Sequence, residues 1–273
     1  MQDHSRLGGI QAAKRPPYPP GSTQRASSPR PRPKGRGLRA VLFTLIMLVA
    51  VGIILQGTLF RLRTVTVYGN NHRTNQEVET LAGLAKGQNI LFLDENKIRD
   101  NINADRYLIF EDMQRDYPDG LILKVFERVP RANVQSMGVQ YTLDGEGMVL
   151  EQTDVLQLEE GLIAVTGFTL SKCDLGQYVV SQSQRQLTAY RQVMTELAVQ
   201  ECISQMSELN LSDVDNLYLI SLDGFSIRLG DSEEMRAKIG AMRAVLEKLR
   251  EMGREKGSVD VSAPIHPTYI PAE

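Results

Sequence analysis

A stretch without a single charged side chain, Ala40 to Phe60, limits what this chain can become more than any other feature of its sequence. A helix needs about 20 apolar residues to cross the hydrocarbon core of a bilayer, at roughly 1.5 Å per residue. The stretch supplies that length with only Thr44, Gln56 and Thr58 as polar interruptions. Residues 38–60 are therefore expected to form one transmembrane helix, with most of the 273 residues folding outside the membrane to which they stay attached. Ala50-Val51-Gly52 has the small residues of a signal-peptide cleavage site. The preceding tail, however, is too long for the charged segment of a signal peptide, and the apolar run exceeds its usual core. An uncleaved signal anchor is the reading adopted.

Charge sets the orientation. The chain has 31 basic and 33 acidic residues, of which nine basic and one acidic precede position 40, leaving 22 and 32, a net of about −10, in the remainder. Basic flanks are retained in the cytoplasm, so the expected topology is single-pass type II in the plasma membrane, with the N-terminus inside and the acidic remainder outside. An acidic region of this kind disfavours nonspecific adhesion to nucleic acid or anionic wall polymers, a local basic patch aside, and no nucleic-acid partner is expected. Residues 1–37 are rich in Pro, Gly, Ser and Arg and almost devoid of residues to bury, which predicts a disordered, basic cytoplasmic tail.

The chemistry expected of a catalyst is missing from the pattern. His4, His72 and His266 are scattered, and no HExxH, GxSxG, SxxK or Walker sequence occurs. The acidic pairs Glu111-Asp112, Asp144 with Glu146, Glu159-Glu160, Asp213 with Asp215 and Glu233-Glu234 could be imagined flanking a glycosidic bond. In so acidic a region such pairs arise from composition, and the last suits a helix N-terminus. Cys173 and Cys202 form no CxxC motif and no disulfide framework, although one bridge between them is open. The expectation is a non-enzyme with no catalytic residues, no metal and no cofactor.

Past the anchor the pattern alternates between two periods. Arg61–Asn70 places Val65 and Val67 on one face of a strand that stops at Gly69-Asn70-Asn71. Thr74 and Glu77 have capping-box spacing for a helix carrying Val78, Leu81 and Ala82. Asp94 can cap a second helix reaching about Asn103, with Ile98 and Ile102 on its buried face. A strand over Leu108–Arg115, a turn at Tyr117-Pro118-Asp119-Gly120 and an alternating strand to Glu127 follow. The order is β-α-α-β-β. The segment resembles a POTRA domain of the kind found in the FtsQ/DivIB family of bacterial cell-division proteins. The likeness rests on Val65-Thr66-Val67-Tyr68-Gly69-Asn70, Asn89-Ile90-Leu91-Phe92-Leu93-Asp94, Arg115-Asp116-Tyr117-Pro118 and Glu127-Arg128-Val129-Pro130-Arg131-Ala132.

The remainder continues the resemblance. A hairpin spans Val134–Leu150 around Gly145-Glu146-Gly147, and an apolar strand at Ile163–Phe168 lacks the proline often found there in the family. A helix is expected over Ser183–Val199, followed by strands near Ser207–Leu211, Leu217–Ser221 and Phe225–Leu229. The last helix, capped by Asp231 or Ser232, carries Met235, Ile239, Met242, Leu246 and Leu249 on one stripe. Ser258–Ser262 reads as a final strand, with Ser262 where the family commonly has arginine. The fold class is α+β: a POTRA domain over 61–131, a mixed α/β FtsQ/DivIB-type β domain over 132–262, and a C-terminal tail over 263–273.

The resemblance implies a divisome scaffold that recruits FtsB/DivIC-like and FtsL-like bitopic proteins at the division septum and, through them, acts on the septal synthase. Small sheets with an open edge accept an extended segment through backbone hydrogen bonds. The expected partner-binding edge is Ser258, Val259, Asp260, Val261 and Ser262, with Met235, Arg243 and Arg250 on the adjoining helix. A second edge is expected in the POTRA domain, on a short strand carrying Phe110, Asp112 and Gln114. Arg115 and the Glu127-Arg128 pair either belong to that second contact surface or are structural, joining the turn and the seam between domains; for Arg128, close to Pro130 at the domain boundary, the structural role is preferred. The alternatives are a membrane-anchored peptidoglycan-processing enzyme and a POTRA chaperone of envelope assembly; neither tandem POTRA modules nor barrel strands are visible for the latter.

Overall fold

The computed structural model describes residues 36–155 and 161–272. The basic tail, apart from residues 36 and 37, and the Glu159-Glu160 pair lie outside that range. Helix α1 (Arg36–Leu59) contains a segment, Gly37–Leu59, long and apolar enough to cross a membrane. Two of its three polar interruptions are satisfied within the helix: the hydroxyl of Thr44 donates to the Ala40 carbonyl and that of Thr58 to the Ile54 carbonyl, both at 2.9 Å. Backbone and hydroxyl groups that cannot reach water must be paired in this way.

The globular region holds two hydrophobic cores. The first gathers Val67, Val78, Ile90, Ile98, Ile102, Leu121, Leu123 and Val125 under a three-stranded sheet in the order β1-β3-β2, built from β1 (Thr64–Tyr68), β2 (Leu108–Asp116) and β3 (Gly120–Glu127). Strand β1 runs parallel to β3, and β2 antiparallel to it. Helices α2 (Asn75–Leu81) and α3 (Glu95–Asn103) start as their sequences dictate. Thr74 and Glu77 close a full capping box, and the Asp94 carboxylate accepts the Asn96 and Lys97 amides.

The second core lies on one face of a nine-stranded sheet ordered β14-β13-β12-β11-β10-β7-β4-β5-β6. Its strands are β4 (Ala132–Ser136), β5 (Val139–Leu143), β6 (Val149–Thr153), β7 (Ile163–Thr166), β10 (Met206–Asn210), β11 (Leu217–Ser221), β12 (Phe225–Gly230), β13 (Gly257–Asp260) and β14 (Thr268–Pro271). Two short strands, β8 (Leu170–Lys172) and β9 (Val180–Ser181), pair apart from it. Helix α4 (Gln184–Val199) connects the region of β7 to its parallel neighbour β10, and α5 (Met235–Glu251) connects β12 to its parallel neighbour β13. Parallel neighbours need such a crossover. Along β12, Phe225, Ile227 and Leu229 are buried against the helices while Ser226 and Arg228 are exposed, so the second face of the sheet is open at this strand.

Three expectations are corrected. Residues 263–273 are not merely a tail, because Thr268–Pro271 forms β14 and pairs antiparallel with β13. Neither Asp231 nor Ser232 caps α5: its N-cap is Glu234 in the left-handed region, without a side-chain cap. Asp231 instead accepts the Glu233 amide at 3.1 Å and the buried Lys238 ammonium at 2.6 Å. Finally, β2 is the longest strand of its sheet rather than a short one.

Candidate partner-binding edge

The large sheet ends at β14, and with it the expected site changes shape. Strand β13 is hydrogen-bonded to β12 on one side and to β14 on the other, pairing Gly257 with Pro271 and Asp260 with Thr268. It is not the outermost strand. The Val261 amide donates inward to the Arg228 carbonyl at 2.9 Å. Alternation along the strand turns the Ser258 and Asp260 amides outward, toward β14. Val259 and Val261 are fully buried in the second core, as is nearly all of Met235. These three side chains seal the fold and present nothing to a partner, which corrects their placement on a binding surface.

What remains accessible is polar. Ser258 and Arg243 are exposed and Asp260 and Ser262 half-buried. The Asp260 carboxylate accepts from the Ser262 hydroxyl (2.6 Å), the Ser262 amide (2.9 Å) and the Arg228 guanidinium (3.0 Å). Burial pushes its pKa up, but the two bonds from Ser262 and the charge of Arg228 outweigh burial and hold it below the ordinary value. Ser262 thus closes a local turn. A Cβ at Gly230 would lie 2.9 Å from the Ser262 Cβ, so the small residue at each position belongs to one tight crossing. Arg250 is tied down, donating to Asp223 (2.6 Å) and Gln205 (2.8 Å) and so clamping α5 to the β11–β12 hairpin.

Strand β14 itself is lightly held. Tyr269 is its one half-buried side chain, set edge-on to Phe225 with ring centres 6.4 Å apart, its hydroxyl donating to the Lys256 carbonyl at 2.8 Å. Ile270 is 66% exposed. Room for the strand depends on Gly257, where φ is +148° and a Cβ would meet the Tyr269 ring at 2.4 Å and the Ile270 carbonyl at 2.7 Å. No periodicity in the sequence points to β14. The Ala263-Pro264-Ile265-His266-Pro267 stretch before it reads as an ending, although Tyr269-Ile270 after it has β propensity.

In the smaller sheet β2 pairs with β3 alone among the described residues, so one side of its ladder has no neighbouring strand, although the Phe110 amide donates to the Asn103 side chain at 2.8 Å; β1 is the other outer strand. Phe110 points into the core at 8% exposure, which removes it from the expected contact surface. Gln114 donates to Asp112 at 2.8 Å, and that bond leads the influences holding the Asp112 carboxylate below its ordinary pKa.

Arg115 and Arg128 lie where strands and domains join. Arg115 donates to the Ile90 and Leu93 carbonyls at 2.9 and 2.8 Å. Arg128 pairs with Asp144 at 2.5 Å, both side chains nearly buried, and donates to the Tyr178 hydroxyl at 3.1 Å. Its amide donates to the Tyr107 carbonyl at 2.7 Å, and the Tyr107 hydroxyl bonds the Glu151 carboxylate across the same seam. Burial first, and that carboxylate second, push the Tyr107 pKa up to about 12. Cys173 and Cys202 are free thiols, both with pKa values raised chiefly by burial. Among the described residues no group of three His, Cys, Asp or Glu is arranged to hold a metal ion.

Comparison with known proteins agrees with this architecture. Residues 60–128 match the family model described as POTRA domain, FtsQ-type. Residues 132–262 match that of the C-terminal region of cell division protein FtsQ/DivIB, which ends before β14. Cell division protein DivIB of Clostridium acetobutylicum is 25% identical over 81% of this chain and 87% of its own length. The DivIB of Clostridium tetani is 20% identical over 80% of this chain and 82% of its own. Cell division protein FtsQ of Mycobacterium leprae is 26% identical over 89% of this chain and 67% of its own.

Proposed function

We propose, for a chain that belongs to the FtsQ/DivIB family of cell division proteins, that it acts in the divisome as a binding scaffold rather than as an enzyme. The C-terminal end of its large sheet captures an extended segment of a single-span partner of the FtsB/DivIC type, itself joined to an FtsL-type protein. The observation that carries this reading is the contrast between β13, whose Val259 is fully buried, and β14, a four-residue strand with one half-buried side chain. An incoming strand takes the place of β14 and bonds the outward amides of Ser258 and Asp260. The exposed Ser258 flanks it. The free ladder of β2, with Asp112 and Gln114 beside it, is a second edge of the same kind.

The anchor contributes through concentration. The N-terminus faces the cytoplasm, the two folded domains lie outside, and the chain gathers at the septum. One helix each confines the chain and its partners to a shared surface, so a modest edge contact suffices for assembly. Through these partners the protein bears on septal peptidoglycan synthesis. Isolation of the full chain from detergent-solubilised envelope tests the reading. Co-purification of small coiled-coil, single-span proteins supports it; recovery of wall polymers alone, or turnover of peptidoglycan by the purified protein, contradicts it.

A further inference from the structure

Phe92 is 75% exposed, yet it does not sit on a loose loop. It ends a single 3-10 turn, Ile90–Phe92, whose cap Asn89 accepts the Leu91 amide at 2.9 Å. Arg115 grips the carbonyls of Ile90 and Leu93 on either side of it. A large apolar ring held rigidly in the open calls for an occupant of its surroundings. The same turn is bonded to the end of α1 and the residue just after it: the Asn89 side chain donates to the Gln56 carbonyl at 3.1 Å, and the Ile90 amide to the Phe60 carbonyl at 2.9 Å. The Phe60 ring meets Tyr117 edge-on at 6.0 Å, and Tyr117 is 58% exposed. Arg61 folds back so that its Nε donates to the Gly57 carbonyl at 2.6 Å, which sets a positive charge at the C-terminal end of the helix.

We infer that Phe92 and Tyr117, beside Phe60, seat the base of the POTRA domain in the interfacial layer of the bilayer that α1 crosses. The inference rests on α1 being a membrane anchor. Bonds to Gln56 and Phe60 hold the turn at the level where the apolar run ends, and aromatic rings collect at that level of a membrane. Charge does not choose the occupant: in the same segments Arg61, Arg63 and Lys86 are set against Asp94 and Asp119, and Arg63 faces Asp119 at 3.5 Å. The seat is therefore apolar contact with the outer leaflet itself, and a zwitterionic bilayer satisfies it.

The chain contains no tryptophan, so a single introduced one reports alone. The full chain carrying Phe92→Trp is reconstituted in phosphatidylcholine vesicles whose acyl chains are brominated either near the headgroup or near the chain end. A parallel Val49→Trp chain reports whether α1 is inserted. The expected result is that shallow bromines quench the emission of the Phe92→Trp chain and deep bromines that of the Val49→Trp chain. In a Tyr117→Trp chain, Phe92→Ser is expected to weaken shallow quenching of the indole at position 117. Emission from the Phe92→Trp chain that stays water-like and unquenched, while the Val49→Trp chain is quenched, overturns the inference and leaves the anchor standing; an unquenched Val49→Trp chain overturns both.

Discussion

Replacing Arg128 by methionine tests whether the seam between the two domains is held by a buried charge pair. The Arg128 and Asp144 side chains are 9% and 7% exposed and lie 2.5 Å apart. Removing one partner of such a pair costs about 3–5 kcal/mol, because the other charge stays buried without compensation. Asp144 keeps two backbone donors, the Glu146 and Met148 amides at 2.9 and 2.7 Å, which places the expected cost near the lower end, about 3 kcal/mol. Native-state hydrogen exchange of the full chain in detergent micelles reads this as a fall in protection on the order of a hundredfold at Glu146, Met148 and Arg128. The Arg128→Met/Asp144→Asn double variant removes the stranded charge and should regain at least half of the loss. Protection unchanged within a factor of about three in the single variant, or a further fall in the double, would refute the buried-pair account.

Gly257→Ala should release β14, since the new Cβ falls 2.4 Å from the Tyr269 ring. Amides 268–270 are expected to exchange as in an unfolded segment while those of β12 stay protected, and retained protection at 268–270 would count against the crowding argument. Glu127 accepts the Asn71 and His72 amides at 2.5 and 2.9 Å and the Arg73 amide at 3.4 Å. Burial pushes its pKa up, but these amides and His72 pull it further down, below the ordinary 4.5. With a depressed folded value, its contribution to stability is present above about pH 4.5 and is lost as pH falls through the folded pKa. Protection of amides 71–73 should therefore drop on acidification below that point in the parent and show no such step in Glu127→Gln; identical profiles would show that the carboxylate does not organise this turn.

What could be read from the sequence was local and periodic. The Thr74 and Glu77 box, the Asp94 cap and the stripe from Met235 to Leu249 depend on neighbours within a turn or two, and each is where its spacing placed it. The apolar faces were legible, but not which other surface they met: Val259 and Val261 alternate as an edge strand would, and only the pairing with β14 shows that the edge lies one strand further out. Strand β14 escaped because two prolines precede it and its pairing partner reaches it only through the fold. The role of Gly257 was equally hidden, since its need arises from Tyr269 and Ile270 across the ladder. The bonds that Arg115 and Arg128 make, to Ile90, Leu93, Asp144 and Tyr178, are fixed by tertiary contact alone.

The proposal that β14 holds the place of a partner strand is tested most directly by binding affinity. The dissociation constant for an FtsB/DivIC-type partner is measured with the full chain, with a chain ending at Ala263, and with that shortened chain carrying Ser258→Pro. Losing the competitor should tighten binding, and proline at 258 should then weaken it by about fivefold, one net hydrogen bond's worth. Binding that is lost on shortening, or that ignores the proline, would contradict capture at β13.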